Sequence, residues 1–258
     1  MLKFSKLMGI FIFFSVFFIP QIVLALGGEV ALGVWYQRPD GNLQYKGDSL
    51  GLASDLKYDS KSQMYARVKA ELPLFLPNIY IMATPMKFKG TGIKAANFQF
   101  DNQNFTANNS YSTELTLDHY DFAFYYGVPF VKTATKDTLN VDAGLNLRVI
   151  DFKIKIDQPA TNQSISKSLT LPVPMGYLGA QIKIHEKVSI EADLRGISFG
   201  NAHYYDVVGR IKGRVINAGI LKGFIAAGYR YEDISIDAED IKAGFKFSGP
   251  FAEVGVEF

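Results

Sequence analysis

The feature that most constrains this chain is a strict alternation of apolar and polar residues that recurs along nearly its whole length. The clearest example runs from Thr138 to Val149, where apolar side chains occupy the odd positions and small or polar residues the even ones. A period of two residues is typical of a β-strand, because successive side chains of a strand point to opposite faces. Similar alternation appears in nine further segments. The sequence therefore predicts an all-β protein with ten strands, and eight or twelve strands are the alternatives.

The first 25 residues have the features of a secretory signal peptide. Two lysines precede an uncharged apolar stretch from Leu7 to Ile19, and Ala25 offers the small side chain that signal peptidase accepts. The alternative is a retained membrane anchor, but the stretch is shorter than the ~20 residues that a helical span requires. We therefore predict a cleaved signal peptide at 1–25 and a mature domain at 26–258.

Composition removes several classes of function. The chain has no cysteine and only three histidines, so disulfide scaffolds and thiolate metal sites are excluded. Its 27 basic residues nearly balance its 25 acidic ones, which is unlike a nucleic-acid-binding surface. The longest uncharged stretch of the mature chain, Leu72 to Met86, contains three prolines and cannot be a membrane-spanning helix. We predict no metal, no cofactor and no nucleic-acid partner.

The strand faces opposite the apolar ones carry charges of both signs. In a soluble sandwich such faces would contact water, whereas in a membrane barrel they face the lumen and pair across strands. Under the membrane alternative, the sequence predicts a lumen charge network. Its members are Glu191, Asp193, Arg195, Arg210, Lys212 and Arg214.

The end of the chain favours the membrane alternative. Val254, Val256 and the terminal Phe258 alternate with polar or small residues and resemble the signal read by the barrel assembly machinery of Gram-negative bacteria. Together with the signal peptide, this predicts a closed antiparallel transmembrane β-barrel, exported through the periplasm to the outer membrane. The expected partners are that assembly machinery, periplasmic chaperones, outer-membrane lipid and lipopolysaccharide.

The connections between the alternating segments differ in length. Arg38 to Ser62 and Gly90 to Ser112 are long and polar, whereas Leu72 to Asn78 and His185 to Lys187 are short. Long loops at one end and short turns at the other are the plan of an outer-membrane barrel, with both termini on the short-turn side.

The apolar pattern changes phase part way along seven strands, in each case on the long-loop side. After Val149, for example, the apolar positions become even rather than odd. This predicts a barrel that projects above the membrane, where the outside must be polar and the inside apolar; the alternative is a set of independent β-bulges. The upper interior could be a packed core or a ligand chamber. The candidate ligand-binding residues are Ile150, Phe152, Ile154, Leu169, Leu171, Ile197, Phe245 and Phe247.

Several short motifs, in this order along the chain, resemble an uncharacterised outer-membrane β-barrel family of Gram-negative bacteria with a Gly-Gly pair at the mature N-terminus. The matching segments are Leu26–Val30, Gly33–Trp35, Leu74–Asn78, Asp121–Phe122 with Tyr125–Tyr126, Asp142–Leu145, Leu171–Met175, Gly228–Tyr231 and Gly249–Phe251. The resemblance implies a fold and a location. It implies no activity.

Three functions are compatible with these observations. The first is a narrow barrel that binds or passes a small apolar molecule at its extracellular end; a general porin is disfavoured because wide channels need about 16–18 strands. The second is a structural or surface-interaction barrel that acts through its long loops. The third is an enzyme that uses His119, between Asp118 and Asp121, or His203, three residues before Asp206. Because no catalytic signature accompanies these histidines, we expect no enzymatic activity.

Overall fold

The computed structural model of the protein describes residues 27–73, 75–238 and 241–258. The predicted signal peptide and its cleavage site lie outside the described residues. The alternating segments fold into extended strands, as the period of two requires. The strands are β1 (Gly28–Tyr45), β2 (Ser49–Gly51), β3 (Lys61–Ala70), β4 (Asn78–Thr84), β5 (Lys87–Ile93), β6 (Phe98–Phe100), β7 (Gln103–Phe105), β8 (Ser110–Gly127), β9 (Leu139–Gln158), β10 (Gln163–His185), β11 (Val188–Phe199), β12 (Ala202–Ala218), β13 (Leu221–Ala238) and β14 (Ile241–Glu257).

The strands close into an antiparallel barrel, because β1 pairs with β3 on one side and with β14 on the other. The wall has ten members, in which β4 and β5 together form one strand and are both paired with β8. The break between them falls at Pro85, which has no N–H to donate. The predicted ten-stranded closed barrel is therefore confirmed. Among the described residues, no helix is long and apolar enough to cross a membrane.

The alternation places one set of side chains inside the barrel and the other outside. On β1, Val30, Leu32 and Val34 are exposed on the outer surface, whereas Ala31 and Trp35 are buried inside. The same arrangement recurs around the wall and produces an outward apolar band. An outward apolar band with charged side chains inside is the arrangement of a transmembrane barrel.

Where the pattern changes phase, the apolar residues move from the outward face of the strand to the inward face. The pairing of the strands continues there without a shift of register. On β9, Arg148 and Ile150 lie on the same inner face, and pairing with β8 continues without interruption from Asp142 to Asp157. In the described ladders, register shifts occur only near Lys183 and Arg214, at the opposite end of the barrel. The bulge alternative is therefore wrong for the phase change.

The two ends of the barrel differ. We call the end that carries the first and last described residues, Gly27 and Phe258, the inner end and the opposite end the outer end. Two long connections, 46–60 and 94–109, lie at the outer end, but 159–162 and 200–201 are tight turns between long strands. The expectation of long loops at this end is wrong for these two, because the strands themselves extend into the segments that were expected to be loops. At the inner end, the connection 128–138 includes a short helix, α1 (Val131–Ala134).

The two long connections fold over the outer end and pack onto it. The amide of Asp48 donates to the Gln99 carbonyl at 2.8 Å, and the amide of Asp101 donates to the Tyr45 carbonyl at 2.9 Å. The Tyr111 hydroxyl bonds the carbonyl of Asp55 at 2.7 Å. These connections also bury apolar side chains against the barrel interior. The buried members are Leu50, Leu52, Leu56, Tyr58, Phe98, Phe100 and Phe105.

Candidate functional site

The middle of the lumen is filled by buried ion pairs. Asp206 accepts hydrogen bonds from Arg230 at 2.9 and 3.0 Å and from Arg195 at 3.4 Å, and it also pairs with Arg148. Arg148 additionally binds Asp121 through two bonds of 2.8 and 2.9 Å. The side chains of Asp121, Arg148, Arg195 and Asp206 have no solvent-exposed surface. At this level the lumen therefore offers no aqueous passage.

Aromatic rings hold the arginines of this layer in place. Each guanidinium lies over the face of a buried ring, a favourable cation–π arrangement. The pairs are Arg230 over Trp35 at 4.7 Å, Arg195 over Tyr80 at 4.6 Å and Arg148 over Tyr204 at 4.7 Å. Stacking fixes the guanidinium planes and so orients their hydrogen bonds.

A second ionic layer lies nearer the inner end and contains most of the lumen charge network expected from sequence. Lys212 Nζ lies 2.8 Å from Glu29, 2.6 Å from Glu191 and 2.7 Å from Glu257. The remaining buried members of the network, Asp193, Arg195 and Arg210, also face inward, and Arg210 pairs with Asp193.

Arg214 differs from the other members of the network. It is only partly buried and pairs with Glu257 at 2.6 Å. The register shift between Arg214 and Ile216 turns the strand at this point, which explains its position at the rim.

Neither of the histidine–aspartate pairs considered from sequence forms. Buried His119 lies 3.3 Å from Glu232, while Asp118 faces outward and pairs with Lys87. His203 lies on the outer surface, whereas Asp206 points inward, because an odd separation along a strand places two side chains on opposite faces. Each histidine instead faces a different carboxylate, Glu232 for His119 and Asp233 for His203.

Half of the candidate ligand-binding residues belong to a packed core at the outer end. Ile150, Ile154, Phe245 and Phe247 are buried there, and the Phe247 ring stacks on Phe88 with centroids 5.6 Å apart. Their burial against this core stabilises the outer half of the barrel.

The wall of the barrel opens between β10 and β11 above this level. Pairing between these strands ends at Gly176 and Gly196, whereas β10 continues to Gln163 with β9 as its partner. Pro172 and Pro174 explain the separation, since neither can donate a backbone hydrogen bond. The hydrogen-bonded pairing of this segment with β9 is unbroken. The backbone N–H groups that the two prolines lack therefore belong to the side of β10 that would face β11.

Apolar side chains line this opening on its inner face. Leu169 and Leu171 pair with Phe152 and Ile150, so they share the inward side of the sheet, yet they are 52% and 37% exposed. The expected enclosure of both leucines is therefore wrong, because β11 ends too early to cover them.

The opposite side of the opening is formed by β11. Ile197 pairs with buried Tyr204 and is partly buried, and Phe199, two residues further, is 85% exposed. We call this opening the lateral notch, and its residues are Phe152, Leu169, Leu171, Ile197 and Phe199.

Sequence reasoning omitted Phe199 from the candidate site and Arg148 and Asp206 from the charge network. The alternation along each strand predicts that all three side chains point inward. Phe199, for example, follows Ile197 by two residues, and Arg148 precedes Ile150 by two. The two prolines of β10 were the available signal for the opening itself.

The sequence matches no protein-family profile, and no curated protein is similar to it. Its fold is similar to those of several solved structures at low identity. The outer membrane protease OmpT of Escherichia coli has 9% identity and a TM-score of 0.47, with 90% of this chain and 96% of that chain covered. The translocator domain of the autotransporter NalP of Neisseria meningitidis has 12% identity and a TM-score of 0.44, with 98% and 95% covered. The attachment invasion locus protein Ail of Yersinia pestis has 12% identity and a TM-score of 0.35, with 88% and 98% covered. Likenesses this remote assign no activity.

Proposed function

We propose that the protein is an outer-membrane β-barrel of a Gram-negative bacterium that binds a small apolar molecule in the lateral notch. The observation that carries the proposal is the exposure of Leu169, Leu171 and Phe199 on the inner face of an open wall. Contiguous exposed apolar side chains above the outward apolar band are characteristic of a ligand or partner surface.

The energetics favour an apolar occupant. Complete burial of a large apolar side chain stabilises by about 1.5–3 kcal/mol, and the three exposed side chains have part of that gain still available. Covering them with an apolar molecule recovers it, while Phe152 and Ile197 supply the already ordered floor. Binding at the notch, and not transit through the barrel, is what the filled ionic layers support.

The proposed orientation follows from the position of the termini. The first and last described segments meet at the inner end, where Phe258 and Gly28 exchange two backbone hydrogen bonds of 3.0 Å. The proposed orientation has the inner end in the periplasm and the lateral notch at the cell surface, as expected for a barrel exported through the periplasm. Outer-membrane lipid, lipopolysaccharide, the assembly machinery and periplasmic chaperones are the partners proposed for that location.

Native mass spectrometry of protein extracted gently from its own membrane tests this function. We expect a co-purifying apolar mass that is lost from the double variant Leu169→Asp/Leu171→Asp. Ser168→Asp/Thr170→Asp is the matched control, because these neighbours lie on the same strand and face outward. Retention of the mass by the leucine variant, or no such mass with the wild type, contradicts the proposal.

A structural or surface-interaction role is the second candidate. The packed core beneath connections 46–60 and 94–109 holds both in one arrangement and so presents a fixed outer surface. A barrel that carries no apolar mass but binds a protein or polysaccharide through these connections would support this candidate over the first.

A further inference from the structure

A cavity of about 270 Å³ opens at the inner end of the barrel, on the far side of the ionic layers from the lateral notch. Basic and acidic side chains line it in nearly equal number. Its volume suits a molecule of roughly ten heavy atoms, near the lower limit of small-molecule sites. We call it the inner vestibule.

The deep part of the inner vestibule presents fixed charges of both signs. Lys69 Nζ lies 3.4 Å from Asp193, and its side chain keeps 21% of its surface exposed. Asp142 accepts a bond of 3.0 Å from the Asn140 side-chain amide. Glu191 and Lys212, paired at 2.6 Å, also contribute to the lining. Because these side chains already have partners, they are oriented before any ligand arrives.

Glycines leave room beside Asp142. Gly127 and Gly179 are its paired neighbours on β8 and β10, so neither residue directly opposite carries a side chain; the Tyr177 hydroxyl occupies the space over Gly179, and the side of Gly127 stays open. A Cβ added at Gly127 would meet Asp142 Oδ1 at 3.7 Å, an ordinary contact. The space beside this carboxylate is therefore accessible to a ligand group of modest size.

We propose that the inner vestibule binds a small zwitterion, such as an α-amino acid or a short peptide. A ligand of one net charge would meet repulsion from half of the lining, and an apolar ligand would displace water from charged groups without offering them any new polar contact. A zwitterion satisfies both signs, its ammonium at Asp142 and its carboxylate at Lys69. The filled ionic layers make this a binding site entered from the inner end.

Isothermal titration of the folded barrel with three matched dipeptides tests the proposal. The probes are glycylglycine, its N-acetyl form without the ammonium, and its C-terminal amide without the carboxylate. We expect glycylglycine to bind and each blocked form to bind about tenfold more weakly, since each loses one charge-assisted hydrogen bond. Equal binding of a blocked form, or no binding of glycylglycine, overturns the proposal.

Two glycine variants locate the site. Gly127→Leu fills the space beside Asp142 and should weaken glycylglycine binding about tenfold or more. Gly209→Leu is the matched control, because Gly209 faces outward with no atom within 4 Å of an added Cβ, and its binding should equal that of the wild type. Unchanged binding by Gly127→Leu refutes the location.

A third variant keeps the test valid if Gly127→Leu fails to fold. Asp142→Asn should remove the preference for glycylglycine over its N-acetyl form while leaving the preference over the amide. Persistence of the first preference would refute the role of Asp142.

Discussion

Replacing Asp206 with asparagine tests how far the barrel depends on its central ionic layer. The substitution preserves side-chain volume but removes the carboxylate that Arg148, Arg195 and Arg230 share. Arg148 retains Asp121, and Arg230 retains Glu232 at 2.6 Å. Arg195 loses the carboxylate that it contacts most closely while remaining completely buried.

The expected cost follows from that imbalance. Removing one partner of a buried ion pair destabilises by about 3–5 kcal/mol, because the other charge stays buried without compensation. Asp121→Asn should cost less than Asp206→Asn, since Arg148 still contacts Asp206. Asp233→Asn should cost less than about 1 kcal/mol, because Asp233 is a partly exposed group at the outer surface.

Urea unfolding of the barrel in lipid vesicles measures all three variants against the wild type, with the midpoint and slope fitted together. The reasoning requires the order Asp206→Asn, then Asp121→Asn, then Asp233→Asn. If Asp206→Asn lies within 1 kcal/mol of the wild type, then water or neighbouring carboxylates compensate Arg195, and the layer is not the rigid closure described above.

Three further outcomes are expected. Phe152→Asp should destabilise the outer half of the barrel by about 1.5–3 kcal/mol, whereas Lys153→Asp should not, because Lys153 faces outward. Hydrogen exchange of the β8–β9 amides measures both variants, and equal effects would contradict the assigned faces. Deleting Phe258 should reduce assembly, since its backbone closes the barrel against Gly28; wild-type yields of heat-modifiable barrel would count against this. In the connection 46–60, burial by itself raises the pKa of Asp55, but bonds from Lys94 and the Gly51 amide outweigh it and hold the pKa below its usual value. A lowered pKa stabilises the connection above about pH 4, and this contribution is lost as the pH falls through the folded value. Limited proteolysis within 46–60 measures this as the ratio of the cleavage rate in acid to the rate at neutral pH. The ratio should be higher for the wild type than for Asp55→Asn, and equal ratios would refute the argument.

Much of the fold could be predicted because alternation reports side-chain environment directly. The ten-stranded wall, the inward charges on β11 and β12, and the exchange of apolar and polar faces all follow from which parity is apolar. Arg148 and Ile150 illustrate this, since both are buried on one face and differ in whether the outward neighbours of the strand are apolar or polar. No property of a neighbouring strand is needed for such inferences.

The candidate site could be predicted only in part because enclosure depends on neighbours. Leu169 and Phe152 carry the same pattern and share one face, but β9 has partners on both sides at this level, whereas β10 does not. Relative strand length decides this, and the alternation of one strand contains no information about where the next strand ends. Pro172 and Pro174 did contain such information, because two prolines of equal parity remove successive donors along one edge.

The two proposed binding regions have no open connection through the barrel, and this determines how they can influence each other. Between the inner vestibule and the lateral notch lie Asp206 and its three arginines, each fixed by an ion pair and two or more stacked or bonded neighbours. A ligand shifts a conformational equilibrium only by its difference in affinity for the two states. Any rearrangement of this layer would break buried pairs at a cost of several kcal/mol, more than a small ligand gains from a modest repositioning. Binding at one end should therefore leave affinity at the other unchanged, so the ten-stranded wall supports two separate surfaces, one at each end of the barrel.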